Sequence, residues 1–193
     1  MGRFLRKTII GPTPFGPVAV IWSGQSGVPR LLRILLSGPG AAADLQAGQL
    51  YPGVPVSSCA DVDALAVKIT AFLEGSKVLF PLERVDWGEC SAFQQSVLSA
   101  VCSIPRRCVS TYQLVAGHIA HRNLARAAGV ALAHNPFPLI VPCHRVVRSD
   151  GYPGGFQGGS GMKRMLLEKE RILFDRSGTA DVMQGSGQLW TFR

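Results

Sequence analysis

The sequence predicts a mixed α/β (α+β) protein. A small N-terminal antiparallel sheet with a helix precedes a mainly helical C-terminal domain that contains a helix-turn-helix. Short β-rich runs between Gly/Pro turns in residues 5–37 predict the sheet. Apolar residues at helical spacing in 61–75 predict the N-terminal helix. Two short helical segments joined by a tight turn within 110–135 predict the helix-turn-helix.

We expect the chain to divide into three parts, because turn-forming residues separate two regions of regular pattern. The parts are 1–88, a sheet-and-helix domain, 89–175, a second domain that carries the candidate chemistry, and 176–193, a C-terminal tail. The 193 residues are 47% hydrophobic, which is enough to bury a core. No apolar run approaches the roughly 18–20 residues of a membrane span, and the basic N-terminus lacks the apolar stretch of a signal peptide. We therefore expect an intracellular protein, cytoplasmic or, in a eukaryote, nuclear.

The positive charge of the chain is concentrated in its second half. The formal net charge is +8, and residues 91–175 hold 10 Lys/Arg against 4 Asp/Glu, a net +6. A basic domain favours a polyanionic partner, of which nucleic acid is the usual one. Many basic proteins bind no DNA, so the charge alone does not decide this.

The first half contains two strand segments and one helix. "PVAVIW" and "LLRILL" are short β-rich runs, each bounded by Gly/Pro turns. Residues 38–58 are rich in Gly, Pro and Ala, which is typical of a connector. The segment "DVDALAVKITAFLEG" predicts a helix that ends at Gly75, and residues 76–90 form a second connector. The apolar residues of that helix are Leu65, Ile69, Phe72 and Leu73.

Two capping boxes begin helices in the second half. "SAFQ" at 91–94 opens a helix that ends near Pro105, and "STYQ" at 110–113 opens one that runs through about Ile119. The apolar residues of the first of these helices are Phe93, Val97, Val101 and Ile104. A last helix, at roughly 160–171, follows the Gly-rich "GYPGGFQGGSG".

The second of these helices begins a helix pair. A tight turn around His121 and Arg122 follows it, with Asn123 as the N-cap of the next helix, "LARAAGVALA". Asn135-Pro136 ends that helix. In DNA-binding proteins the second helix of such a pair enters a groove of the duplex. Tight helix pairs also pack in many proteins that never touch DNA, so the pattern leaves both interpretations open.

The cysteines and histidines do not predict a metal site or a disulfide framework. The five cysteines are odd in number and include no CxxC pair: Cys59, Cys90, Cys102, Cys108 and Cys143. His118 and His121 share a helical face, but a structural zinc ion needs four placed ligands. We expect no metal and no cofactor.

The stretch "PLIVPCHRVV" combines a nucleophile, a base and a permanent cation. A free thiol is only a few per cent ionised at neutral pH, and a nearby base or cation raises that fraction. We expect an extended segment here, in which neighbouring side chains point opposite ways, so that His144 needs a bridging water to reach Cys143. Glu168 and Glu170, on the following helix, are candidates to orient the histidine. The alternative is a buried structural cysteine beside a solvated His144 and Arg145.

This stretch resembles the alkylguanine-DNA alkyltransferases, also called methylated-DNA–protein-cysteine methyltransferases. The resemblance rests on "PCHRV", on the preceding "NPFPLIV", and on the following Gly-Gly turn and helix, and it covers about residues 90–173. It implies DNA repair by direct reversal: an irreversible, single-turnover transfer of the alkyl (methyl) group from O6-alkylguanine in DNA to Cys143. The enzyme would be a suicide S-methyltransferase that acts as a monomer on the minor groove of double-stranded DNA. Residues 89–175 would then form the DNA-binding and active-site domain.

The resemblance also implies catalytic roles at matching positions. Cys143 corresponds to the alkyl acceptor of the family, and His144 and Glu170 correspond to the pair that activates the thiol through a water. Asn135 corresponds to the asparagine that braces the turn before the active-site strand. Tyr112 corresponds to the tyrosine that donates a proton toward the guanine.

Further positions match the DNA-binding surface and the base pocket of the family. The target base must be flipped out of the duplex, at a cost of a few kcal/mol, and Arg126 corresponds to the arginine that fills the gap. The other implied DNA-binding residues are Thr111, Tyr112, Gln113, Ala125 and Ala127. The implied pocket residues are Val146, Phe156, Gln157 and Lys163.

Two departures from the family pattern are visible. Phe156 and Gln157 stand where the family has a tyrosine and a serine before its Gly-Gly, so a hydroxyl is lost while an aromatic wall and a backbone N–H are kept. The "IP-x-G" turn of the family is Ile104-Pro105-Arg106-Arg107 here, so an arginine stands in place of the glycine. We expect the turn to differ, and the arginine to add a phosphate contact.

Three alternatives from other functional classes remain open. A non-catalytic lesion reader would keep the DNA-binding helix but lack the cysteine, which is present here. A Cys-His hydrolase would show a nucleophile before a helix and a Gly-flanked elbow, which is missing. A helix-turn-helix regulator would have no use for the Pro-Cys-His-Arg segment.

Overall fold

The computed structural model has the predicted α+β architecture. It describes residues 4–24, 28–180, 182 and 187–192. The chain divides into two compact units, the first formed by Met1–Glu89 with Pro136–Ile140, and the second by Cys90–Asn135 with Val141–Arg193. Within the described ranges, no helix is both long and apolar enough to cross a membrane.

A three-stranded antiparallel sheet forms the centre of the first unit. Its strands are β1 (Leu5–Ile10), β2 (Val18–Ser23) and β3 (Arg30–Leu36), with β2 in the middle. Residues 18–22 of β2 are all buried, because a central strand has its edges paired and both of its faces covered. The sheet predicted from the β-rich runs is therefore confirmed.

A helix that the sequence did not predict covers part of this sheet. The segment 38–58 was expected to be a connector, but it contains α1 (Ala43–Leu50). Ala43 and Ala47, four residues apart, are buried in one cluster with β2 and β3 side chains. The Ser37 hydroxyl accepts a hydrogen bond from the Ala43 N–H at 3.0 Å. Because alanine side chains are small and only weakly hydrophobic, the spacing of Ala43 and Ala47 does not stand out in the sequence as the apolar face of a helix.

The second helix of this unit, α2 (Ala60–Glu74), agrees with the prediction. Its four predicted apolar positions are all buried. Gly75 follows it with φ 107°, the left-handed conformation that a glycine adopts without a Cβ penalty. The predicted end of the helix is therefore confirmed.

The described residues of the second unit form four α-helices and a short parallel strand pair. These elements are α3 (Ala92–Cys102), β4 (Ser110–Thr111), α4 (Tyr112–Ile119), α5 (Ala125–Ala133), β5 (Val146–Val147) and α6 (Gly159–Lys169). A 3-10 turn at Arg122–Leu124 joins α4 to α5, which gives the predicted helix-turn-helix. The buried faces of α4 and α5 carry small or branched residues: Val115, Ala116, Ala128, Ala131 and Leu132.

The helix caps differ in detail from those that the sequence predicted. Ser91 caps α3 as expected, accepting from the Gln94 N–H, but the Gln94 side chain donates to the Ala131 and His134 carbonyls instead of closing the capping box. The cap of α4 is Thr111, whose hydroxyl accepts from the Leu114 N–H, while the Ser110 hydroxyl donates to the Trp190 carbonyl. The Gln94 side chain thus links α3 to the end of α5 and does not take part in the cap of its own helix.

The turn between α4 and α5 is capped by a histidine. The His121 Nδ1 accepts a hydrogen bond from the Asn123 N–H at 3.3 Å, so the prediction of Asn123 as the N-cap is wrong. The last helix, α6, begins at Gly159 and ends at Lys169, two residues before the predicted end. Arg171 adopts φ 65° and stops the helix.

The C-terminal segment pairs with β4 of the second unit. The Val109 N–H donates to the Gln188 carbonyl at 2.8 Å, and the Trp190 N–H donates to the Val109 carbonyl at 2.7 Å. The Ser110 hydroxyl donates to the Trp190 carbonyl at 3.0 Å. Part of the predicted tail thus forms an isolated parallel β-bridge, Val109 with Leu189, next to β4.

The arginine that replaces the family's turn glycine adopts a glycine-like conformation. Arg107 has φ 72°, and the Cys108 N–H donates to the Pro105 carbonyl at 3.2 Å across the turn. The turn therefore has the backbone that favours glycine, contrary to our expectation of a different turn. The neighbouring Arg106 is not in this conformation, and its Nη2 donates to the Lys169 carbonyl at 2.9 Å.

We predict that Arg107→Gly stabilises the protein. A left-handed conformation costs an L-residue about 1–2 kcal/mol, and the greater entropy of glycine in the unfolded chain offsets roughly half of that. The free energy of unfolding, measured by urea denaturation, should rise by about 0.5–1 kcal/mol. Arg106→Gly is the matched control and should destabilise, because it loses its hydrogen bond without relieving any strain. Equal effects of the two substitutions would contradict this account.

Candidate active site

The candidate nucleophile lies on a tight turn. Residues Cys143–Arg145 form a 3-10 turn, so the expectation of an extended segment is wrong. The Arg145 N–H donates to the Pro142 carbonyl at 2.9 Å, and the Cys143 N–H donates to the Val141 carbonyl at 2.7 Å. Cys143 is 6% exposed and His144 is fully buried. The turn directs the side chains of both His144 and Arg145 to Glu170, at the end of α6.

Asn135 supports both the turn and the sulfur. It follows α5 and is buried. Its Nδ2 donates to the Val141 carbonyl at 3.3 Å and to the Cys143 Sγ at 3.1 Å. The first bond braces the turn. The second is aimed at the nucleophile and favours the thiolate over the thiol, since a donor stabilises negative charge.

A buried carboxylate links the two residues that follow the cysteine. Glu170 Oε1 lies 3.2 Å from the His144 Nε2. Arg145 donates two hydrogen bonds to the same carboxylate, from Nε to Oε2 at 2.8 Å and from Nη2 to Oε1 at 2.7 Å. Of the two acids considered from sequence, Glu170 contacts the histidine, while Glu168 pairs with Arg164 at 2.9 Å.

Arg145 therefore serves the carboxylate and not the thiol. Its third contact is the Ile104 carbonyl, which accepts from Nη1 at 2.7 Å. Burial alone would raise the pKa of Glu170, but the hydrogen bonds from His144 and Arg145 hold that pKa at about 2. Glu170 is consequently ionised at neutral pH.

His144 is a neutral base in this environment. Burial lowers its pKa, the hydrogen bond to Glu170 works in the opposite direction, and the charges of Arg145 and Lys163 lower the pKa further. An ionised Glu170 requires a proton on the His144 Nε2, so the neutral ring has its lone pair on Nδ1.

The cation that acts on the thiol is Lys163. This lysine is fully buried on α6, and its Nζ donates to the Val146 carbonyl at 2.6 Å and to the Gly155 carbonyl at 3.3 Å. Burial lowers the pKa of Lys163 to about 8. Burial raises the pKa of Cys143, and the Asn135 hydrogen bond and the Lys163 charge oppose that increase. The resting thiol is thus protonated and held beside groups that favour its ionised form.

A groove of about 610 Å³ lies between the helix pair and the segment after β5. Its lining residues are Tyr112, Gln113, Ala125, Arg126, Gly129, Val130, Ala133, Arg148 and Ser149. Burial raises the pKa of Tyr112 and the charge of Cys143 raises it further, while the charge of Arg148 acts to lower it. Of the DNA-binding residues implied by the resemblance, the groove brings together four, namely Tyr112, Gln113, Ala125 and Arg126.

The remaining two lie elsewhere. Ala127 is exposed on α5 and lines a neighbouring, more apolar groove with Phe93 and Gln94. Thr111 is buried, and its hydroxyl accepts from the Leu114 N–H at 3.2 Å, so its side chain is used as a helix cap.

Of the implied pocket residues, Phe156 contacts His144, and Val146 contacts Lys163. Phe156 meets the His144 ring edge-on, with ring centroids 6.4 Å apart. Val146 is buried and supplies the carbonyl that holds Lys163, while Gln157 is exposed just before α6. A Cβ on Gly154 would lie 3.0 Å from the Tyr112 hydroxyl, so this segment approaches Tyr112 closely.

Sequence reasoning missed Arg148. It lines the groove and pairs with Asp150, Nη2 to Oδ2 at 2.7 Å. Its position in the sequence could have indicated it, since Arg148 is the only Lys or Arg between the cysteine turn and α6. Within the ranges that the structure describes, no three His, Cys, Asp or Glu side chains form a group that could hold a metal ion.

The fold and the site together define a helix-turn-helix protein with a buried cysteine nucleophile, whose thiolate form is favoured by Asn135 and Lys163. The family described as "6-O-methylguanine DNA methyltransferase, DNA binding domain" matches residues 92–172. A methylated-DNA–protein-cysteine methyltransferase of Methanothermobacter thermautotrophicus is 39% identical over 159 residues, which are 82% of this chain and 82% of that protein. The chain belongs to the methylated-DNA–protein-cysteine methyltransferase family.

Solved structures agree with this assignment. A crystal structure of the Mycobacterium tuberculosis O6-methylguanine methyltransferase has a TM-score of 0.68 at 28% identity, covering 86% of this chain and 93% of its own. A structure of Mycobacterium tuberculosis OGT in complex with DNA has a TM-score of 0.67 at 29% identity, covering 86% and 92%. The hydrolase and regulator alternatives are left without support.

We predict that Asn135→Ala raises the pKa of the Cys143 thiol. A hydrogen bond to a charged group contributes about 1.5–3 kcal/mol, which corresponds to about one or two pKa units. The measurement is the rate of iodoacetamide labelling of each cysteine peptide across pH, by mass spectrometry. The inflection of Cys143 should move to higher pH, while that of Cys108, in the same digest, should not. An unmoved Cys143 inflection would show that the Asn135 contact does not stabilise the thiolate.

Proposed function

We propose that this protein repairs DNA by direct reversal of alkylation. The Cys143 Sγ takes the alkyl group, a methyl group in the simplest case, from the O6 of an alkylguanine in double-stranded DNA. The observation that carries this proposal is the sulfur itself: a buried thiol 3.1 Å from the Asn135 amide, on the turn whose histidine contacts Glu170. Family membership supports the same chemistry.

Proton removal from the thiol begins the reaction. The His144 Nε2–H donates a hydrogen bond to Glu170, so Nδ1 is the nitrogen that takes the thiol proton through a bridging water. The resulting imidazolium is stabilised by the ionised Glu170. The neutral resting state of His144 suits it to act as a base.

Alkyl transfer then forms one bond and breaks another. The thiolate attacks the alkyl carbon in line with the C–O6 bond and displaces the guanine oxygen, so the S–C bond forms as the C–O6 bond breaks, and the electron pair of that bond remains on the guanine. The Tyr112 hydroxyl donates a proton toward the departing guanine, and burial keeps that hydroxyl protonated at neutral pH by raising its pKa. Lys163 stabilises the thiolate through its charge. The thioether product is not readily hydrolysed, so each molecule acts once.

The exposed face of α5 is proposed to enter the minor groove. Ala125, Ala127 and Gly129 are small, which allows a close approach to the DNA backbone and little readout of base sequence. Arg126 is exposed beside the Tyr112 groove and fills the space left by the flipped base. We expect a monomer to suffice, acting where the cell holds its DNA, in the cytoplasm or, in a eukaryote, the nucleus.

We predict stoichiometric transfer that depends on Cys143. Incubation with duplex DNA carrying O6-methylguanine should leave one methyl group on the Cys143 peptide, with repaired guanine reaching a plateau at one per protein molecule. Cys143→Ser should abolish transfer while DNA binding persists, since affinity comes from phosphate contacts. Cys108→Ser is the matched control and should transfer normally. Repair far beyond one equivalent, or a methyl group on another residue, would refute the mechanism.

A further inference from the structure

Arg148 is an exposed arginine on the segment that follows the cysteine turn and β5. It lines the same groove as Tyr112 and Arg126, and its side chain is 61% exposed. Its guanidinium is held by Asp150, whose side chain is 44% exposed, through a 2.7 Å ion pair. An ion pair that is this exposed contributes little to stability, so a competing anion can replace the carboxylate at little cost.

The backbone beneath this ion pair is fixed. The Arg148 N–H donates to the Tyr152 carbonyl at 2.9 Å, and the Gly151 N–H donates to the Arg148 carbonyl at 3.0 Å. Gly151 has φ 83°, and a Cβ there would lie only 2.4 Å from the Ala180 carbonyl oxygen. These contacts fix the backbone of the turn, from which the exposed Arg148 side chain extends.

Arg148 also adjoins the tyrosine that faces the reacting base. A Cβ on Gly154 would lie 3.0 Å from the Tyr112 hydroxyl and 3.7 Å from the Arg148 Cγ, so the two side chains converge over this glycine. The aliphatic part of Arg148 thus lies near the Tyr112 hydroxyl, and the charge of Arg148 acts to lower the pKa of that hydroxyl. Flipping a base rotates its backbone, and the attached phosphate moves with it.

We propose that Arg148 binds the phosphodiester beside the extruded alkylguanine, and that Asp150 holds the guanidinium until this phosphate displaces it. The proposal rests on the proposed function and names a residue that positions its substrate. A guanidinium binds a phosphate oxygen as it binds a carboxylate oxygen, through a charge-assisted hydrogen bond of the kind that Arg148 makes to Asp150. Because both anions carry one negative charge, the exchange leaves Arg148 neutralised, and the exposed Asp150 is rehydrated.

The two arginines of the groove would therefore act through different chemistry. Arg126, which replaces a flipped base, needs a planar group that can stack, and a lysine cannot supply one. Arg148, which binds a phosphate, needs mainly a positive charge, which a lysine does supply. Rescue by lysine thus separates the two roles.

The test compares four variants with the wild-type protein: Arg148→Gln, Arg148→Lys, Asp150→Asn and Arg164→Gln. Arg164 is the matched control, because its ion pair with Glu168 is similarly exposed, at 44% and 46%, but lies on α6 outside the groove. Asn at position 150 keeps the oxygen that accepts from the Tyr152 N–H. The measurements are duplex affinity at several salt concentrations, single-turnover repair of O6-methylguanine duplex, and reaction with free O6-benzylguanine base.

Arg148→Gln should slow duplex repair by about fivefold to tenfold and reduce the salt slope of duplex binding by about one unit. Its reaction with the free base should stay within about twofold of wild type, because no phosphate is present. Arg148→Lys should recover most of the duplex rate, and Asp150→Asn should bind duplex more tightly. Arg164→Gln should match wild type in every measurement.

Two results would overturn the proposal. Equal slowing of Arg148→Gln on duplex and free base would assign Arg148 to shaping the pocket, and behaviour identical to Arg164→Gln would show that it binds no phosphate. If the wild-type protein transferred no alkyl group, the proposed function would fail. The salt slopes of duplex binding would still decide whether Arg148 contacts the DNA backbone.

Discussion

The buried carboxylate of Glu170 is the group on which the rest of the site depends. It lies at the end of α6 and is gripped by Arg145 from the cysteine turn, while Arg145 also binds the Ile104 carbonyl just beyond α3. One ion pair thus joins three segments that are far apart in the sequence. Removing one partner of a buried pair typically costs about 3–5 kcal/mol, because the other charge is left without compensation. The same contact that fixes the fold also fixes the histidine.

This arrangement explains why a nucleophile can be stored in an unreactive form. Arg145 already neutralises much of the charge on Glu170, so His144 is oriented by the carboxylate without becoming charged. Burial keeps Cys143 protonated, while Asn135 and Lys163 reduce the cost of its ionisation. A thiolate therefore forms when substrate is in place, and a cysteine that acts only once is protected from earlier side reactions. The cation next to the cysteine in the sequence serves the carboxylate, and the cation that serves the sulfur comes from α6.

Local patterns in the sequence predicted what depends on local structure. The spacing of Leu65, Ile69, Phe72 and Leu73 and the glycine after them predicted α2, and two short helical segments predicted the helix pair. The helix α1 escaped detection because its buried face consists of alanines. The roles of Arg145 and Lys163 could not be read from sequence, because their partners lie 25 and 17 residues away. Glu170 was one of two candidate acids, and only the three-dimensional packing separated it from Glu168.

The central claim is that an ionised Glu170 holds His144 as a neutral base with its proton on Nε2. Nitrogen-15 NMR of labelled imidazoles across pH tests this most directly, with the His144 signals assigned by their loss in His144→Gln. Because burial lowers the pKa of His144, its ring should remain neutral and protonated on Nε2 well below pH 6.5, the usual pKa of histidine. Titration of His144 at or above that value, or a proton on Nδ1 in the neutral ring, would contradict the account.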